Sequence, residues 1–190
     1  MRNILKPTVF VSLLLLPVAA WALIKPVRVL APELVGVTCQ GEHVCVDDPF
    51  RFAEATGLYN EAVGFVQSQV GTIHSAPRVI FCSTVRCSRS FGLTSAVAYT
   101  VGTVSVVIGH RGWHSYFVRH ELIHHLQNQQ LGGLNAWLLK PTWFREGMAY
   151  SLSQDPRHPL PAPLEGYRSD FESWFALVGR DQLWVEAARL

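Results

Sequence analysis

The sequence predicts an α+β fold, a small antiparallel or mixed sheet packed on helices, on three observations. The β-rich runs "PRVIFC" and "TVSVVIG" are short and bounded by turn residues. The helical periodicities occupy separate, longer stretches. The two kinds of segment are segregated rather than alternating, which argues against a doubly wound parallel sheet. At 190 residues, 49% hydrophobic and 16% charged, the chain has the length and apolar content for one domain with a sizeable core.

The elements follow in order. "MRNILK" is a short basic start, "TVFVSLLLLPVA" an apolar run, and "AWA" an A-x-A cleavage pattern, so residues 1–22 read as a signal peptide. The competing reading is a signal anchor reaching to about residue 24, since the apolar stretch from Thr8 to Ile24 is at the short edge of a membrane span. Either way the domain of residues 23–190 lies outside the cytoplasm, in a periplasmic or extracellular space or anchored at its membrane. "KPVRVLAPELVGVTC" reads as an early edge strand. A helix follows, with Asp48 as its cap, Pro49 at its first position, Phe52, Ala55, Ala62 and Val70 on one face, and Gly71 at its end. "PRVIFC" reads as a buried strand. "SAVAYTVGTVSVVIGH" reads as two antiparallel strands turning near Val101 to Thr103.

"YFVRHELIHHLQNQQ" is the next helix, with Ser115 as cap and Phe117, Leu122, Ile123 and Leu126 as its apolar positions. A loop at Gly132 and Gly133 leads to a second helix from Pro141 or Thr142. "DPRHPLPAP" is an extended loop. The tail gives two short helices broken at Gly179, with Tyr167, Phe171, Trp174, Phe175 and Val178 on one buried face.

Charge and cysteines narrow the function class. The net charge of +2 rests on Arg2 and Lys6; without them the basic residues equal the 14 acidic ones. A neutral body without a basic stripe excludes a nucleic-acid partner. Five residues lie between Cys39 and Cys45, and four between Cys82 and Cys87. Four cysteines allow three pairings, and the two local pairs are the favoured ones in an oxidising compartment. Neither spacing is that of a zinc knuckle.

The chemistry concentrates in "HELIH", His120 to His124. Residues four apart share a helix face, so both imidazoles can reach one metal ion. Glu121 is rotated about 100° from His120, suited to a water on that ion rather than to ligation. A catalytic zinc takes three protein ligands and keeps one position open. Glu146 in "PTWFREGMAYSLS" supplies the third, after a 21-residue gap from His124, on a second helix. Its apolar neighbours Trp143, Phe144, Met148 and Leu152 make an uncoordinated carboxylate costly there. The alternative is an ion pair of Glu146 with Arg145 or Arg119.

"HELIH" followed by "WFREGMAY" resembles the gluzincin metallopeptidases, in which a zinc-binding glutamate follows the second histidine on a later helix. The resemblance covers about Tyr116 to Ser153, roughly a fifth of the chain, and fits the small members of the group. The "W-x-x-E-G-x-A" form leans toward the aminopeptidase-like branch, but that branch's "G-A-M-E-N"-type strand is missing. Thermolysin-like proteins carry an aspartate where Tyr150 stands. The metzincin pattern is excluded, because Gln127 and Gln130 occupy its glycine and histidine positions.

The resemblance implies one Zn2+ held by His120, His124 and Glu146, with Glu121 as general base in peptide hydrolysis. It also implies a donor to the developing oxyanion, for which Tyr167 is favoured over Tyr150. The implied partner is a peptide or protein substrate, with membrane contact only through an uncleaved N-terminal segment. An alternative reading is a catalytically weak zinc-binding or scaffolding protein of the same fold.

The remaining histidines are read as bystanders. His125 is expected in solvent, His110 and His114 in a turn, and His43, His74 and His158 at the surface. "TVSVVIG" is expected to be an edge along which an extended peptide adds.

Overall fold

The computed structural model describes residues 19–190, so most of the segment read as a signal or anchor lies outside the described residues. Among the described residues no helix is long and apolar enough to cross a membrane.

The expected α+β class is the observed one: a five-stranded open mixed sheet packed against helices. Its strands are β1 (Thr38–Gln40), β2 (Val44–Val46), β3 (Arg78–Phe81), β4 (Ala98–Val101) and β5 (Ser105–Ile108), in the order β1-β2-β3-β5-β4. The inner pairs β2/β3 and β3/β5 are parallel, and the outer pairs are antiparallel. The helices are α1 (Phe52–Gln69), α2 (Val85–Ser90), α3 (Ser115–Leu131), α4 (Gly133–Leu138), α5 (Thr142–Leu152), α6 (Leu164–Val178) and α7 (Leu183–Arg189).

Successive strand side chains point to opposite faces, and here both faces are covered. Val44, Val46, Val79, Phe81, Val106 and Ile108 meet the main helical layer, in one cluster with Ala55, Ala62 and Val66 of α1 and Leu122 and Leu126 of α3. Cys45, Ile80 and Val107 face the other way, against Val29, Val37, Phe91 and Leu93. Two-sided burial is why "VIF" of β3 and "VVI" of β5 read as unbroken apolar runs. Asp48 accepts from the Phe50 amide at 3.0 Å, and a 3-10 turn at Pro49–Arg51 leads into α1 as expected. The hairpin turns through Gly102, whose φ of 51° suits a residue without Cβ.

Four expectations are corrected. Most of "KPVRVLAPELVGVTC" forms 3-10 turns, Lys25–Leu30 and Pro32–Val35, each with a proline in its first two positions; only its end pairs, as the edge strand β1. Proline sets a turn-compatible φ and removes a ladder donor, so the β-branched residues between are overruled. Gly132 breaks α3 with φ 79°, but Gly133 already begins α4 rather than extending a loop. The cap position of α3 is His114, with no side-chain cap bond, and Ser115 is its first helical residue. β5 is an inner strand, paired on both sides, so the edge beside α3 is β4. The short β2 and α2 were not anticipated, being too brief to show a period. The two favoured cysteine pairs are both formed. Cys39–Cys45 joins directly opposed residues of β1 and β2, and Cys82–Cys87 ties the end of β3 to α2. Such bridges belong to an oxidising environment.

Helix α5 is wedged between α3 and α6. A Cβ on Gly147 would sit 2.0 Å from the Tyr167 carbonyl oxygen and 2.7 Å from Phe171 Cβ. Both obstacles are fixed, so α6 would have to move. Gly147→Ala is expected to lower stability by at least the ~1–3 kcal/mol usual for overpacking, read as a shift in urea midpoint.

Candidate metal centre

The helix α3 reaches the centre because its apolar side is taken by the core. Val118, Leu122, Ile123 and Leu126 are fully buried, leaving the side with His120, His124 and Gln127 to face α5 and the cleft. His120 Nε2 and His124 Nε2 are 3.1 Å apart, and Glu146 Oε2 of α5 lies 3.8 Å and 3.7 Å from them. Tetrahedral zinc at about 2.0–2.1 Å from each ligand would hold donor atoms about 3.3 Å apart, so this nitrogen, nitrogen, oxygen set fits a metal ion. These three residues can hold such an ion. Neither alternative partner takes Glu146: Arg119 pairs with Glu61, and Arg145 makes no ion pair among the described residues.

Hydrogen bonds behind these side chains fix the geometry. His124 Nδ1 donates to Gln127 Oε1 at 2.9 Å, so the neutral ring keeps its proton there and presents Nε2 to a metal. Gln127 Nε2 donates to the Arg145 carbonyl at 3.0 Å, tying α3 to the residue before Glu146. Glu121 is 6% exposed, and the Thr100 hydroxyl of β4 lies 2.7 Å from its carboxylate and 2.8 Å from its carbonyl.

The charges respond to this crowding. Burial raises the Glu121 pKa, even though His124 and Thr100 favour its charged form. Burial and the neighbouring His124 hold His120 down to about 3. Burial opposes charge on His124 as well, but the Glu146 carboxylate outweighs it and lifts this imidazole to about 9. Glu146 is lowered to about 2, against its own burial, by the same partner. Without metal the Glu146 carboxylate therefore favours a charged imidazole on His124 over one on His120.

A cleft of about 480 Å³ opens on these groups. Its walls include Ala98, Tyr99 and Thr100 of the edge strand, Phe117 of α3, Trp137 of α4, Arg145 and Tyr150 of α5, and Arg157. The Tyr150 ring lies 4.5 Å from that of His120. Tyr167, favoured from sequence, is not among the lining residues. The Pro-rich loop carries Arg157 to the cleft instead, paired with Asp155 and stacked 4.6 Å from the Phe117 ring centre. His125 is fully buried rather than solvated, with Nε2 2.8 Å from the Ser75 carbonyl oxygen. His110 and His114 lie in the turn before α3 as expected. His74 and His158 are exposed, while His43 is half-buried and stacks on Tyr59.

Sequence reasoning did not find Thr100, Gln127 as a tether, or Arg157. Gln127 was findable, since i+3 from a ligand histidine on one helix face is where a partner for Nδ1 must stand. Nothing local marked the other two. No protein-family model, curated protein or solved structure matches this chain.

Two outcomes are expected. Gln127→Leu should weaken metal binding about 10- to 100-fold by competition with a chelating dye, while the circular dichroism spectrum stays unchanged. Metal must displace the His124 proton, so apparent affinity should rise with pH and level off near pH 9. In that range the gain is about tenfold per pH unit, with one proton released per ion in unbuffered calorimetry.

Proposed function

We propose that this chain is a zinc metallopeptidase of gluzincin type, exported to an oxidising compartment. The observation that carries the reading is the convergence of His120, His124 and Glu146 beside a buried Glu121, at the floor of an open cleft. Two disulfides and the basic, apolar, A-x-A start of the sequence support export.

Zinc in this triad would acidify a bound water and polarise a substrate carbonyl. The chain's own groups supply the rest. Glu121 takes the proton of the attacking water and returns it to the leaving amine; its raised pKa brings it closer to the working pH of a general base. Thr100 orients that carboxylate and links it to the edge strand. The unpaired edge of β4 offers main-chain groups to an extended peptide laid along the cleft, the role first assigned to β5. Tyr150 replaces Tyr167 as the favoured oxyanion donor. Burial and the nearby Glu146 raise its pKa, which keeps the phenol protonated and able to donate.

Glu121→Gln should keep about one zinc per chain and lose turnover on a diverse peptide library by at least about a hundredfold. His124→Ala should lose the zinc. Tyr150→Phe should lower kcat with zinc retained, whereas Tyr167→Phe should leave it unchanged. A parent chain that binds zinc and cleaves nothing would shift the reading to a zinc-binding scaffold. A parent that binds no metal would overturn both.

A further inference from the structure

The cleft contains two guanidinium groups in unlike circumstances. Phe117 and Gln127 are ten residues apart on α3, about 15 Å along the helix axis, and so mark opposite ends of the cleft. Arg157 stacks over Phe117 at one end and is neutralised by Asp155, which accepts from its Nε and Nη2. Arg145 stands at the other end, its carbonyl held by Gln127. Among the described residues its side chain has no hydrogen bond and no ion pair, and its Nε is shut off from water without a partner.

No acid of the cleft is left for it. Glu146 faces the two histidines and Glu121 is bound by Thr100. Arg145 is half-buried, and a guanidinium with one donor shut off from water and no acceptor is under-satisfied; a carboxylate is the acceptor whose two oxygens match its fork. This unpartnered guanidinium lines the open cleft.

We propose that Arg145 binds a carboxylate of the ligand, so that the site selects acidic peptides over neutral ones. The inference rests on the peptidase reading for the ligand being a peptide. Arg145 adjoins Glu146 in sequence, and an extended peptide advances about 3.3–3.6 Å per residue. An arginine side chain there reaches a group within about two residues of the scissile bond. Two sources share this chemistry, a free C-terminal carboxylate or an aspartate or glutamate side chain.

The test measures binding without turnover. Zinc-loaded Glu121→Gln protein is titrated in a calorimeter with N-acetylated hexapeptide mixtures of three kinds. One has free C-termini and no internal acid, the second amidated C-termini and an internal glutamate, and the third amidated C-termini with glutamine in its place. One of the first two should bind about tenfold to a hundredfold tighter than the third, and which one does so identifies the source. Adding Arg145→Gln should erase that preference with zinc content unchanged, and Arg145→Lys should retain part of it. Equal affinity for all three mixtures, no measurable binding, or a preference that survives Arg145→Gln overturns the inference. The two readings fail separately. An Arg145-dependent acid preference in a chain whose parent hydrolyses nothing keeps the carboxylate site and removes the peptidase. Hydrolysis by the parent, with mixtures bound alike, does the reverse.

Discussion

The centre depends on the contact between α3 and α5. Two of the candidate ligands lie on one helix and the third on the other, so a displacement of an ångström between them would separate the donor atoms. Gln127 fixes the distance by holding His124 Nδ1 with one end of its amide and the Arg145 carbonyl with the other. Behind it, Gly147 lets α6 press directly on α5, and Phe144, Met148 and Phe171 fill the space around that contact. The position of Glu146 is thus set by packing on one side of its helix and by a hydrogen bond on the other.

The same constraint explains how charge is tolerated so close to the core. His120 is 8% exposed and Glu121 6%, and each ionised group there would be expensive alone. The arrangement answers the cost with partners: Glu146 for His124, Thr100 for Glu121, Glu61 for Arg119, Asp155 for Arg157. Arg145 stands outside this scheme, and its position on the cleft wall makes the exception chemically pointed. The edge strand serves both needs. β4 closes the sheet on one side, and its free edge becomes a wall of the cleft instead of an aggregation-prone rim.

Much of this is readable in the sequence. The i, i+4 histidines share a face in any α-helix, and the isolated Glu146 among aromatic residues required a compensating partner. The α1 helix, the buried β3 and the β4–β5 hairpin followed from period and turn residues. The failures have local causes. Prolines turned an apparent strand into 3-10 turns, and β2 and α2 are too short to carry a pattern. His125 reads as solvated in the sequence, and its burial comes from the loop that carries Ser75, a contact 50 positions away.

What the sequence determined by itself is therefore what depends on neighbours within a turn or two: helix phase, hairpin position and which side chains can hold a metal, while for the disulfides it favoured the local pairs among three pairings. What the tertiary structure alone decided is which distant groups meet them. Thr100 reaches Glu121 across 21 positions, and Arg157 replaces Tyr167 at the cleft because of the path taken by a Pro-rich loop. β4 rather than β5 is the free edge because β5 is paired on both sides. Helical and strand periods constrain direction along one element, but they carry no information on which element packs beside it.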